Sequence, residues 1–145
     1  MRDREFIKVE KKLYNYTTSK SIIENITLDL QMIEKQYQSG MIQQSSSLED
    51  IRVSKTNSQY PLEEWLLYKD EQYDRLLTKK LKLVNEVKKI DNGLLILTDV
   101  EKKIIELRYF QLRKWSNISI MTNYSISHCK VIRIVAINKL KKVLF

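Results

Sequence analysis

Apolar positions along this chain recur at helical spacing and almost nowhere at strand spacing. Phe6, Val9, Leu13 and Tyr16 fall at intervals of 3-4-3, and Ile23, Ile26, Leu30, Ile33 and Tyr37 continue at 3-4-3-4. This stripe predicts a helix from about Arg4 to Gln38, with the phase weakest at Thr17–Lys20, a place for a kink or a helix-helix turn. Gly40 reads as the end of that element. The Ser-rich stretch that follows, to about Gln59, carries little apolar content and reads as a polar linker. Pro61 suits a first helical position, where its missing N–H leaves nothing unpaired. Leu62, Leu66, Tyr73, Leu76, Leu83, Val87 and Ile90 then repeat near seven and predict a second long helix. Lys69 and Lys80 interrupt this stripe, which favours packing against the first helix, as an α-helical hairpin, over a strict parallel coiled coil.

Beyond Asp91-Asn92-Gly93, which loosens or ends the second helix, the spacing changes character. Thr98 and Glu101 stand at capping-box distance, and Val100, Ile104, Leu107 and Tyr109-Phe110 supply an apolar face for a short helix. Gln111–Lys114 form a connection, Trp115 anchors the next turn, and Ser116 reads as the N-cap of a second short helix through Ile118, Ile120 and Met121. Asn123 tolerates the left-handed backbone of a tight turn, and Ser125 is placed to cap a third helix. That helix runs through Cys129, Ile132, Ala136, Ile137, Leu140 and Val143-Leu144. Caps and periodicity together therefore predict an all-α protein in which long N-terminal helices precede a C-terminal helix-turn-helix. The expected segments are an N-terminal helical segment over 1–39, a polar linker over 40–60, a second long helix over 61–97 and a helix-turn-helix over 98–145.

Composition supports this picture. Gly occurs twice and Pro once, too few to punctuate an all-β fold, while 43% apolar residues suffice for a core. No apolar run approaches the roughly 20 residues that span a bilayer, and the first residues lack the apolar stretch of a signal peptide. A single Cys129 excludes an intrachain disulfide framework and fits a reducing cytoplasm. One His and one Cys are too few for a structural zinc site. No Gly-rich phosphate loop, paired carboxylates on a strand or nucleophile motif is present, so neither an enzyme nor a cofactor is expected.

Charge is more informative. Residues 1–100 hold 16 Lys/Arg and 16 Asp/Glu, whereas residues 101–145 hold ten against two, the whole surplus of +8. From Gln111 to Phe145 there are seven cations and no acid. A local surplus of one sign is what a polyanion-binding module needs, because each phosphate contact releases condensed counterions.

Leu107-Arg108-Tyr109-Phe110, Trp115, Ile118, Ser119, Ser125, Ala136 and Leu140 resemble region 4 of bacterial sigma factors over about Leu97 to Leu144. Thr122 stands where a buried Leu is usual there, and Cys129 where Val or Ile is usual. The chain is short for a complete sigma factor. Its layout, with an N-terminal Val9-Glu10-Lys11-Lys12-Leu13-Tyr14-Asn15-Tyr16, a linker, a second helix and this module, is similar to the RinA/ArpU-type regulators of late and packaging genes in phages of Gram-positive bacteria. The resemblance implies a sequence-specific transcription regulator, an activator, acting on double-stranded promoter DNA in the host cytoplasm. RNA polymerase contact and self-association through the N-terminal helices go with that role. A small terminase subunit in DNA packaging and a sigma-like accessory subunit of RNA polymerase are the alternatives.

On the third helix, Cys129, Ile132, Ala136, Leu140 and Val143 are expected to face the core, and Ser127, His128, Lys130, Val131, Arg133 and Ile134 the opposite side. The resemblance places base-edge readers among Ser127, His128, Lys130, Val131 and Arg133, with Arg133 forking onto guanine and Val131 packing on a thymine methyl. Arg108, Arg113, Lys114, Ser116, Ser125, Lys139, Lys141 and Lys142 are expected at phosphates, which position the protein without reading sequence. No carboxylate stands at helical spacing from His128, so it is expected neither to ligate a metal nor to act as a base.

Overall fold

Two antiparallel helical stripes, as the apolar periodicity predicts, form the long elements of the protein. The structure, a computed structural model, describes the backbone of residues 3–54 and 61–145 and the side chains of residues 3–38 and 62–145. The elements are α1 (Arg4–Ser54), α2 (Pro61–Leu94), α3 (Asp99–Ile105) continuing into a π-helical turn (Glu106–Phe110), α4 (Trp115–Thr122) and α5 (Ile126–Leu144). The fold is all-α, with no strand among the described residues.

Both long helices differ in length from the sequence expectation: α2 ends at Leu94, short of the expected 97, and α1 is longer than expected. α1 does not end at Gly40 but runs on to Ser54. An interior Gly costs a helix only about 1 kcal/mol relative to Ala, too little to stop one already nucleated over the preceding residues. The remainder of the expected linker, residues 55–60, lies outside the described residues.

The chain divides into two compact units, one formed by Met1–Ser21 and Leu83–Phe145, the other by Ile22–Lys82. In the second, Ile26, Leu30 and Ile33 of α1 are buried, and Leu62, Leu66, Tyr73 and Leu76 of the α2 stripe are half-buried. Tyr37 donates to the Asp70 carboxylate, and Tyr73 donates to Glu34 Oε1 at 3.0 Å. Partner numbers fall on α2 as they rise on α1, so the two helices run antiparallel here.

In the first unit Phe6, Val9, Leu13 and Tyr16 are all buried, and so are Val87, Ile90 and Leu94 on α2. Complete burial of Val9 and Leu13 is worth about 1.5–3 kcal/mol each. The α2 end tightens through i to i+3 bonds from the N–H groups of Leu95, Ile96 and Leu97. Gly93 permits a close approach of α5, since a Cβ there would lie 2.8 Å from Leu140 Cδ2. Thus the C-terminal residues do not stand apart as a 98–145 domain. They share one core with the start of α1 and the end of α2.

Candidate nucleic-acid interface

The short C-terminal helices are set by their caps. Thr98 caps α3: its Oγ1 accepts the Glu101 N–H at 3.3 Å and donates to Glu101 Oε1 at 3.1 Å. The helix then widens into the π-helical turn, a geometry a 3.6-residue stripe does not foresee. That turn closes with the Arg113 N–H donating to the Leu107 carbonyl at 2.8 Å, and Leu112 takes a left-handed φ of 55°. α4 begins two residues earlier than expected. Its N-cap is Lys114, without a side-chain bond, so Ser116 lies inside the helix and is not the cap. Asn123 (φ 61°) makes the left-handed turn and Ser125 caps α5, accepting the His128 N–H at 3.1 Å. Ser119 Oγ donates to the Tyr124 carbonyl, which ties α4 to the turn.

Ile104, Leu107, Ile118 and Cys129 form the buried cluster beneath α4 and α5, with Val100, Trp115 and Ile132 packed against it. Cys129 is completely buried, and Thr122 Oγ1 lies 3.5 Å from its Sγ while donating to the Ile118 carbonyl at 2.7 Å. Thr122 is therefore accommodated by back-bonding to its own helix.

The expected readers divide. Ser127, His128, Lys130 and Val131 are exposed on α5, with the His128 ring edge-on to Tyr124 at 5.0 Å. Arg133 is not on that face. It is 8% exposed, with its guanidinium carbon 5.2 Å from the Trp115 ring centroid and its Nε buried without a hydrogen-bond partner. The reason is helical phase: Cys129, Arg133, Ile137 and Leu140 recur at 4-4-3 and form one inward stripe. Val143 corrects in the opposite sense, being 44% exposed in the last turn instead of core. Three residues of the outward face have no place among the expected readers: Ile134, Val135 and Asn138 are exposed. Ile134 is expected on that side, and counting i+4 and i+7 from Val131 adds Val135 and Asn138.

The expected phosphate contacts divide too. Arg113, Lys114, Ser116, Ser125 and Lys142 are exposed. Lys139 Nζ pairs with Glu101 Oε1 at 2.6 Å, and Lys141 pairs with Asp3. The lysine beside Asp3 and the Phe6 N–H hold that carboxyl below its usual range. Arg108 lies over Trp115, 4.7 Å from the ring centroid, and donates to the Arg113 carbonyl at 3.1 Å. The ion-paired and stacked cations hold the fold, while Arg113, Lys114, Lys130 and Lys142 form the solvent-facing positive set.

Among the described residues, no group of His, Cys, Asp and Glu could hold a metal ion, and no helix is long and apolar enough to cross a membrane. The molecule is thus an all-α protein in which the unit formed by Met1–Ser21 and Leu83–Phe145 carries an exposed, acid-free helix face on α5. Residues 8–142 match the family described as Protein of unknown function (DUF722), and the chain belongs to that family. No curated protein and no solved structure matches it.

Proposed function

We propose that this protein is a sequence-specific DNA-binding transcription regulator, an activator of phage late or packaging genes, that lays α5 in the major groove of promoter DNA. One observation carries the reading. A Ser125-capped helix, entered through a left-handed turn from a short helix, presents an exposed outer face over its first two turns inside a 35-residue stretch without a single acid. A groove-reading helix needs that combination: a rigid base, an uncovered N-terminal face and no repulsion from phosphates. Partner contacts, with RNA polymerase or a second copy, fall to the Ile22–Lys82 unit in this reading.

The test is binding of the full chain to DNA from the late promoter region of its own phage and to a scrambled duplex. We expect tighter binding to the former and a log-log salt slope of about −3 to −4, since each neutralised phosphate contributes about −0.9. Equal affinity for both duplexes excludes specific reading, and no binding at low salt excludes DNA altogether. A closed ring in solution would favour the packaging alternative.

A further inference from the structure

The outward face of α5 sets exposed branched apolar side chains among Ser127, His128 and Lys130, where a basic DNA-binding helix is ordinarily polar. Ser127, Lys130, Val131 and Ile134 recur at 3-1-3 and share one side over the first three turns, where a recognition helix meets base edges. Val131 is 55% exposed and Ile134 42% exposed, and neither contributes to the core. Val131 and Ile134 stand uncovered beside Lys130 on a surface that also exposes Ile126 and Val135 and carries no acid, so a polyanion seated there has to meet them with an apolar group of its own. From Gln111 to Phe145 the charge is positive throughout, and Arg113, Lys114, Lys130 and Lys142 are exposed. In the major groove the one apolar group on a base edge is the thymine methyl.

We infer that Val131 and Ile134 each pack on a thymine methyl, so that the site read by α5 contains thymines on adjacent base pairs. Three residues of helix advance about 4.5 Å, close to the roughly 3.4 Å of one base-pair step, so the two side chains fit neighbouring pairs better than distant ones. Lys130 and Ser127 flank them and supply the polar contacts. This inference rests on the proposed DNA-binding function and names what that surface reads. Guanine recognition by Arg133 has no part in it, because that guanidinium is stacked inside the unit.

The experiment starts from a pool of short random-sequence duplexes enriched on the full-length protein. The enriched pool is then amplified with either thymidine or deoxyuridine triphosphate, which differ only in the methyl group. Loss of each contacted methyl is expected to weaken binding about fourfold, so the uracil pool should bind roughly ten- to twentyfold more weakly. The variant carrying Val131→Ser and Ile134→Ser, checked for helix content, should bind both pools equally. If the wild-type chain binds both pools with the same affinity, or if the double variant keeps the full difference, the thymine-methyl inference is overturned while DNA binding stands. If no pool is enriched and neither duplex binds at low salt, the inference falls together with the proposed function.

Discussion

The Tyr109 hydroxyl donates to Glu10 Oε2 at 2.8 Å and so joins two positions 99 residues apart in sequence within one compact unit. Around this bond the Tyr14 ring meets Tyr109 edge-on at 4.8 Å, and Phe110 stacks on Tyr16 at 4.4 Å. Tyr16 in turn donates to the Asp91 carboxylate on α2. Removing the hydroxyl by Tyr109→Phe leaves the ring in place and takes away one bond to a charged acceptor. We expect a loss of about 1.5–3 kcal/mol, seen as a lower melting temperature by far-ultraviolet circular dichroism. An unchanged melting temperature would show that the bond contributes nothing to the unit.

The same bond sets a dependence on alkaline pH. Burial, and then the hydrogen bond to Glu10, push the Tyr109 phenol far above its ordinary value of 10.0. Desolvation and the Asp70 carboxylate likewise raise Tyr37, to about 12. A raised folded value means that the native state keeps a proton the unfolded chain gives up. The contribution is therefore complete below about pH 10 and is lost as pH rises beyond it. Urea midpoints should stay level from pH 8 to about pH 10 and fall steeply above it, with a shallower fall for Tyr109→Phe.

Arg133 serves as a control for the face assignment. Its charge is buried, and its Nε lacks a partner, so an unbranched apolar replacement removes a desolvated cation and keeps volume over Trp115. Arg133→Met should change stability by less than about 1 kcal/mol in either direction and leave the enriched DNA sequences unchanged. Altered sequence preference with stability intact would place Arg133 at the DNA after all.

Two lysines on α5 should behave oppositely. Lys139 pairs with Glu101, whose Oε2 is buried without a partner, so Lys139→Ala leaves a buried carboxylate with the Thr98 hydroxyl but no counter-charge and should cost about 1–3 kcal/mol. Lys142 is exposed, and Lys142→Ala should leave the melting temperature alone while making the DNA salt slope shallower by about 0.9. Thermal melts and salt titrations of both variants check this. A reversal of the two effects would show that Lys139 faces phosphate and Lys142 the fold.

Leu112 offers a gain. Its φ of 55° is a conformation that Gly adopts without penalty and a Cβ opposes, and the side chain is 68% exposed. Leu112→Gly should stabilise the protein by about 0.5–1 kcal/mol, measured as a higher urea midpoint. A lower midpoint would mean that the exposed Leu side chain contributes more than the backbone strain costs.

Much of this architecture was legible in the residues. The stripes from Phe6 to Tyr37 and from Leu62 to Ile90 are buried or half-buried throughout, because a 3.6-residue period turns spacing directly into one face of a helix. Thr98, Asn123 and Ser125 do what their side chains and backbone tolerance suit them for, since capping is a local interaction needing only three or four neighbouring residues. Where local rules compete, spacing alone does not pick the winner. Gly40 did not stop α1, and Ser116 lost the capping place to Lys114, which has no capping oxygen, because the extended backbone before Trp115 is set by the turn closing on Leu107.

The chain by itself thus determined an all-α fold, its helix stripes, and a C-terminal stretch whose cations no acid offsets, all of which follow from composition and short-range spacing. Only the tertiary structure decided which of those cations reach solvent. Arg133, Lys139 and Lys141 look in sequence like Lys130 and Lys142, yet one is stacked on Trp115 and two are held by Glu101 and Asp3. The partners stand 18, 38 and 138 residues away along the chain. A charge count sees the side chain but not its neighbours, and burial is a property of neighbours that only packing brings together.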